Sequence, residues 1–271
     1  MVNKNFEKIK NDFFNNGWAK YDSCLNFDEV EKINYEIEKF IKEKSKELKT
    51  GEIHLTDKGD INTIHVMSQE SKFFSDLLNS TNFKNLSEYI LEEDVEPQWA
   101  QLFNKPKMSG LSAPFHQDNF YWNVLGNKTV TIWLALDYVN ENNGGLSYFS
   151  KSHKMGLLKH EPTYAKGTSQ KVPDNIVDKL PSNTLIIPTL KPGDVLLHHG
   201  LTIHGSLPNK SEKNRRGMSF WYKSVSAKYD EFALENYRKS LKIITLLFIF
   251  FSVISEAILC FFSLLFNFLI L

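Results

Sequence analysis

Residues 191–223 read KPGDVLLHHGLTIHGSLPNKSEKNRRGMSFWYK. Lys191-Pro192-Gly193-Asp194 is a turn, with glycine where a positive φ is easiest. The runs Asp194–His199 and Met218–Lys223 on either side have strand length and composition. Upstream, Trp99–Phe103, Val130–Tyr138, Gly145–Phe149 and Leu185–Ile187 read the same way, and Asn143-Gly144-Gly145 is another turn. Many short strands parted by loops predict a mainly β domain, an antiparallel sandwich or barrel.

The opening third of the chain has a different texture. Phe6, Ile9, Phe13 and Phe14 repeat at helical spacing until Asn15-Asn16-Gly17 breaks the pattern. Asp28 is placed to cap a second helix whose apolar face is Val30, Ile33, Ile37, Phe40 and Ile41. A third helix is predicted over 75–91, through Leu77, Leu78, Phe83 and Leu86. The lysines and glutamates between these positions make a solvated face. Helices therefore flank the β domain.

Composition narrows the possible functions. The 271 residues suit one β domain with helical additions. Thirty-two basic and 32 acidic residues cancel, so there is no broad electrostatic case for nucleic acid. Two cysteines, Cys24 and Cys260, exclude a disulfide scaffold and favour a reducing compartment.

Chemistry concentrates at two places. In Pro114-Phe115-His116-Gln117-Asp118, His116 and Asp118 lie two apart, so on a strand both side chains emerge on one face. An imidazole nitrogen beside a carboxylate oxygen offers two ligands to a divalent metal. A third must come from a remote strand, and His204 is the candidate, with His198 as its rival because it shares strand parity; His199 points the other way. Two histidines and one carboxylate leave three positions of an octahedron open, the arrangement of non-haem iron(II) oxygenases. Arg215 lies eleven residues beyond His204, a spacing that predicts a turn over 208–214 and then a neighbouring antiparallel strand. The chain holds three arginines (Arg215, Arg216 and Arg238) against 29 lysines. A planar fork that grips a carboxylate through two hydrogen bonds is something lysine cannot reproduce. Ser206 is placed to donate its hydroxyl to the same carboxylate.

These residues, together with Asn142-Asn143-Gly144-Gly145-Leu146, Ser152-His153-Lys154, Pro192-Gly193-Asp194 and His204-Gly205-Ser206-x-x-Asn209, resemble the phytanoyl-CoA dioxygenase family over about Phe6 to Lys223. The resemblance implies a double-stranded β-helix (a jelly roll, cupin-like) over residues 1–230. It implies iron(II) (Fe2+) held by His116, Asp118 and His204, with 2-oxoglutarate as cosubstrate and dioxygen (O2) as oxidant. Arg215 would pair with the distal carboxylate of 2-oxoglutarate, assisted by Ser206. Trp133 would flank the cosubstrate, and Gln101 and Lys105 stand where relatives sometimes touch it. His153 and Lys154 would belong to a structural loop, and His54, His65 and His160 are expected to be ordinary loop or core histidines. Halogenating relatives have a small residue at the position of Asp118, so its presence implies hydroxylation. The substrate is expected to be a small or lipid-like molecule, suited by Phe120-Tyr121-Trp122. No Lys/Arg cluster in the loops 119–128 and 153–181 is aimed at a coenzyme A phosphate. No protein partner is implied. The alternatives are a non-catalytic jelly-roll protein that binds metal or a small molecule at a membrane, and a cupin-like metalloenzyme without a 2-oxo acid. Arg215 separates them.

Residues 241–271 form a hydrophobic C-terminal segment whose only charges are Lys242 and Glu256. A helix over 243–271 would be about 43 Å long at ~1.5 Å per residue, enough to cross a bilayer. Arg238, Lys239 and Lys242 precede it. The expectation is a transmembrane helix at 243–271 that anchors a cytoplasm-facing body. Met1–Lys10 is polar, so no secretory signal is expected at the start.

Overall fold

The computed structural model describes residues 4–108, 111–126, 128–163, 165 and 168–241. The chain divides into two compact units, Met1–Tyr229 and Asp230–Leu271. In the second, residues 231–241 are helical. The first unit holds all the strands and the other helices among the described residues.

Its elements run α1 (Lys4–Asn16), β1 (Trp18–Tyr21), α2 (Phe27–Lys44), β2 (Ile53–Leu55), β3 (Ile61–Ile64), α3 (Met67–Glu70), α4 (Lys72–Leu78) and α5 (Thr81–Leu91). The β domain proper then follows as β4 (Val95–Lys105), β5 (Ala113–His116), α6 (Asn119–Trp122), β6 (Thr129–Ala135) and β7 (Leu146–Phe149). It ends with β8 (Glu161–Pro162), β9 (Gln170–Lys171), α7 (Asp174–Val177), β10 (Leu185–Ile186), β11 (Val195–His199), β12 (His204–Ser206) and β13 (Arg215–Ser224).

Two of the helical expectations shift. The cap of α2 is Asn26: its side chain accepts from the Glu29 backbone, and Glu29 reaches back to the Asn26 N–H at 2.7 Å in a capping box. Asp28 sits instead in the first turn, where its charge complements the helix dipole. The single helix predicted over 75–91 is two, because Asn79 closes α4 by returning both its backbone and side-chain nitrogens to the Ser75 carbonyl. Ser80 then takes extended backbone ahead of α5.

Among the described residues, β1-β11-β6-β13-β4-β3-β2 form a seven-stranded sheet and β10-β7-β12-β5 a four-stranded one. The chain alternates between the two sheets over β4 to β7 and again over β10 to β13, with β8 and β9 paired apart as a two-stranded sheet, a winding in keeping with the cupin-like expectation. The fully buried strand β6 shows how the large sheet works. Val130, Ile132 and Leu134 join Ala100, Leu102, Met218, Phe220 and Tyr222 in a core with α1, α2, α4 and α5, centred on Phe13, Ile37, Phe74 and Phe83. The alternate positions face the small sheet, where Trp133 and Ala135 meet Tyr148. Strand parity thus gives each strand one structural face and one face available to chemistry.

Arg215 and His204 were expected on neighbouring strands. They stand instead in different sheets, because β12 pairs with β5 and β7 while β13 pairs with β4 and β6. The connection 207–214 crosses between sheets and is tied down by Asn209, whose amide donates to the Lys105 and Lys213 carbonyls.

The membrane expectation is corrected. Among the described residues no helix is long and apolar enough to cross a membrane. The 18 residues of α2 are charged along one side, far from the ~20 consecutive apolar residues a span requires. The stretch 243–271 that carried the expectation lies outside the described residues, so the transmembrane C-terminal helix, the membrane association and the cytoplasm-facing anchor are withdrawn.

The turn before β11 supplies a stability test. Gly193 has φ +90°, and a Cβ there would overlap the Leu25 carbonyl oxygen; Gly59 has φ +86° with nothing within 4 Å. Both Gly→Ala changes carry the left-handed penalty of about 1–2 kcal/mol. Gly193→Ala adds an overpacking cost of about 1–3 kcal/mol. Urea unfolding should therefore rank Gly193→Ala clearly below Gly59→Ala; equal losses would mean that the Leu25 contact yields freely.

Candidate metal centre

His116 ends β5 and lies directly opposite His204, the first residue of β12, which on its other side pairs with Tyr148 of β7. The two histidines meet because their strands are hydrogen-bonded neighbours. Asp118 arrives differently from the expected strand geometry. Its backbone is right-handed helical (φ −55°, ψ −38°), at the entry to α6, so the His-x-Asp pair spans a strand-to-helix turn. Gln117 fixes that turn. It is fully buried, donates to the Gly156 and Leu201 carbonyls at 2.8 and 2.7 Å, and accepts from the Leu158 N–H. Its own N–H donates to His160 Nε2 at 3.0 Å. Sequence reading passed over Gln117 because an amide between two ligands carries no metal signal of its own.

The ring orientations follow one rule. His116 Nδ1 lies 2.8 Å from the Pro114 carbonyl and His204 Nδ1 2.9 Å from the Thr202 carbonyl. A carbonyl can only accept, so each Nδ1 carries the proton and each Nε2 presents a lone pair. Both Nε2 atoms stand 3.5 Å from Asp118 Oδ1. One ligand atom from each of the three residues lies within 4.8 Å of the others, a group that could hold a metal ion. Burial pushes His204 down to about 3, the neutral form a ligand needs. Burial alone would raise the Asp118 carboxyl, but His204, His116 and His198 around it hold it well below the usual range.

His198 falls outside the ligand group. Its Nε2 is 3.0 Å from Asp118 Oδ2, the oxygen turned away from the other two histidines. Thr131 of β6 donates to the same oxygen at 3.0 Å, and the Tyr148 hydroxyl meets His198 Nδ1 at 3.0 Å. His199 points to the other face, against Phe13. Tyr148 was invisible to sequence reading, since a tyrosine inside an apolar strand looks like core.

A second polar centre lies along the same inner face. Arg215 and Lys105 are opposite each other on β13 and β4, both buried. Arg215 Nη2 donates to the Gly144 carbonyl at 2.8 Å, and its guanidinium lies 5.3 Å from the Trp133 ring centroid. Among the described residues its buried Nε has no hydrogen-bond partner. Burial lowers the guanidinium to about 9, with Asp137 acting in the opposite sense. Burial and the neighbouring Arg215 lower Lys105 to about 6; its Nζ donates to the Leu111 carbonyl. Ser206 is buried on β12, next to Leu207, whose carbonyl packs on Gly144. Gln101 occupies the β4 position in register with Ser219 and Trp133 and hydrogen-bonds His65. Arg216 points outward and holds Asp137 through both carboxylate oxygens, at 3.0 and 3.1 Å.

Known proteins resemble this chain in sequence and fold. The family model described as phytanoyl-CoA dioxygenase (PhyH) matches residues 13–217. The peroxisomal phytanoyl-CoA dioxygenase of Rattus norvegicus is 33% identical over 132 residues, 47% of this chain and 39% of that protein. The chain thus matches about two fifths of the length of that relative. A Stutzerimonas stutzeri protein described as a probable alpha-ketoglutarate-dependent hypophosphite dioxygenase is 24% identical over 232 residues, 82% of this chain and 80% of that one. EctD from S. alaskensis, crystallised with 2-oxoglutarate and 5-hydroxyectoine, shares the fold with a TM-score of 0.68 at 20% identity, covering 82% of this chain and 77% of that one. The family match takes in well over half of the 271 residues. The chain belongs to the phytanoyl-CoA dioxygenase family of iron(II)- and 2-oxoglutarate-dependent oxygenases.

Proposed function

We propose that this chain is a dioxygenase that hydroxylates a C–H bond of a small, largely apolar molecule, with 2-oxoglutarate converted to succinate and CO2. The observation that carries the reading is the pairing of two centres on one inner face: a three-ligand group at His116, Asp118 and His204, and a buried guanidinium at Arg215 whose Nε has no hydrogen-bond partner among the described residues.

The residues fit the iron that the family uses. Two neutral imidazoles and one ionised carboxylate are a donor set suited to a ferrous ion with open positions. Iron held there supplies the activation of dioxygen, which no side chain can provide. Everything else falls to the protein. Arg215 would grip the distal carboxylate of 2-oxoglutarate, and its orphan Nε is the donor left over for it. Lys105 stands opposite it on β4 as a further hydrogen-bond donor, its charge disfavoured by burial and by Arg215 itself. Ser206 would donate a hydroxyl, Trp133 would wall the cosubstrate on one side, and Gln101 would line the pocket from β4. Burial of these groups excludes water, which strengthens each charged contact.

The substrate side is aromatic. Trp221 lies in register with Thr131, which donates to Asp118; it stacks on Trp122 at 4.0 Å and meets Trp99 at a tilt, with the centroids 4.3 Å apart. Three indoles beside the metal centre favour an apolar substrate over a highly charged one. An acyl-CoA is not part of this proposal.

Two experiments test the reading. Anaerobic addition of iron(II) and then 2-oxoglutarate should give a weak visible charge-transfer band in the wild type. Arg215→Ala should weaken 2-oxoglutarate by about 2–5 kcal/mol, roughly 30-fold or more. A missing wild-type band, or one indifferent to Arg215→Ala, would overturn the cosubstrate assignment. The second test is Gly217→Ala. A Cβ at Gly217 would fall inside the Trp133 ring, so the ring must move, at a cost of about 1–3 kcal/mol. The same titration should show 2-oxoglutarate affinity falling by about tenfold or more, the equivalent of ~1.4 kcal/mol. Wild-type affinity in Gly217→Ala would remove Trp133 from the cosubstrate wall.

A further inference from the structure

The chemistry of Asp118 sets a requirement that its own backbone does not meet. His116 and His204 are aimed by strand register and by carbonyls two residues upstream. Asp118 sits in a helical turn, so no sheet register decides which of its oxygens faces the two Nε2 atoms. Oδ1 faces them at 3.5 Å, while Oδ2 faces His198 and Thr131, each at 3.0 Å.

We infer that Tyr148 and His198, together with Thr131, are positioning residues that hold Asp118 to the metal through one oxygen by a directed chain of hydrogen bonds ending on the other. The inference rests on the metal reading above. Its direction follows from donor chemistry. A carboxylate can only accept, so His198 Nε2 carries the proton, and in the neutral imidazole Nδ1 is left as an acceptor. Tyr148, whose oxygen is 3.0 Å from that Nδ1, therefore donates. The chain runs Tyr148 O–H to His198 to Asp118 Oδ2, with Thr131 O–H as a second donor to the same oxygen.

Its far end is anchored. The Tyr148 ring stacks on Trp18 at 5.4 Å and 5°, and the Trp18 indole N–H donates to Ser150 Oγ at 3.2 Å. On its other side Tyr148 lies against His204, its partner in strand register. One tyrosine thus touches one ligand by stacking and orients another through His198. Two donors on Oδ2 leave Oδ1 for the metal, and a carboxylate that binds through one oxygen keeps a coordination position free. A cosubstrate that chelates through two atoms, with dioxygen beside it, needs that position. Hydrogen-bond partners of this kind are commonly worth 10–100-fold in metal affinity.

Cobalt(II) titration, followed by its visible absorption bands, reads this without turnover. His198→Leu should weaken Co(II) by about 10–100-fold and shift the bands. His198→Gln, which can still donate to Asp118 and accept from Tyr148, should restore affinity to within about threefold of wild type. Tyr148→Phe removes one hydroxyl and should weaken binding several-fold, yet have no further effect in a His198→Leu background, because it acts through His198. Wild-type affinity and bands in His198→Leu, or a His198→Gln protein as weak as His198→Leu, would overturn the inference. If His198→Leu does not fold, Tyr148→Phe and Thr131→Val carry the test, and wild-type binding in both overturns it. A wild-type protein that ignores Co(II), or a His116→Ala protein that binds it as well as wild type, would instead overturn the metal reading and this inference with it.

Discussion

A carboxylate kept ionised between two sheets is the constraint around which the site is arranged. Burying a charge costs several kcal/mol unless hydrogen bonds or opposite charges replace the lost water. Asp118 is surrounded by three imidazoles, which hold its carboxyl well below the usual range against the opposing effect of burial, and by a threonine hydroxyl that donates to it. His204 is itself pushed towards neutrality by burial. An ionised carboxylate beside such an imidazole is a group that could hold a divalent cation.

The sheets make this arrangement tolerable by separating two tasks that the sequence interleaves. In β6, Val130, Ile132 and Leu134 go to the helical core, while Thr131 and Trp133 go to the site. In β13, Met218, Phe220 and Tyr222 join the same core, while Arg215, Gly217 and Trp221 lie on the opposite face, against Gly144, Trp133 and Trp99 respectively. The cost of burying polar groups on one face is offset by dense apolar packing on the other, only a strand's thickness away. Gly217 illustrates how closely the faces are adjusted, since its missing side chain is the space that Trp133 fills.

Much of this was legible because it is periodic. The strands and the helix over 27–44 follow from spacing and composition; His204 was a candidate partner for His116 with His198 as its rival, and the family resemblance carried the choice. The turn that carries Asp118 was not legible, since the His-x-Asp spacing fits a strand equally well and only Gln117's four hydrogen bonds to distant loops decide otherwise. Tyr148 was hidden for a related reason: its hydroxyl matters through a histidine 50 residues away. His198, read as a rival ligand, had its parity right and its role wrong, because parity gives the face of a strand and not the distance reached across the barrel. The break between α4 and α5 depended on one asparagine side chain competing with helix hydrogen bonding.

Two of the three arginines gain meaning from the same parity. Arg215 and Arg216 are adjacent, so β13 sends them to opposite faces. Arg216 occupies both oxygens of Asp137, the carboxylate that also acts electrostatically on Arg215. With that acid engaged outside, Arg215 is left inside with the Gly144 carbonyl, the Trp133 face and a lowered Lys105 for company. Such a cation weakens the folded state of the free protein, and pairing it internally would have been the stabilising choice. Leaving it unpaired makes sense if the missing partner arrives from solution as an anion, at a fixed position relative to the metal centre on the same inner face. A lysine at 215 could supply the charge but not the fork, which explains why a chain that uses lysine almost everywhere places arginine here.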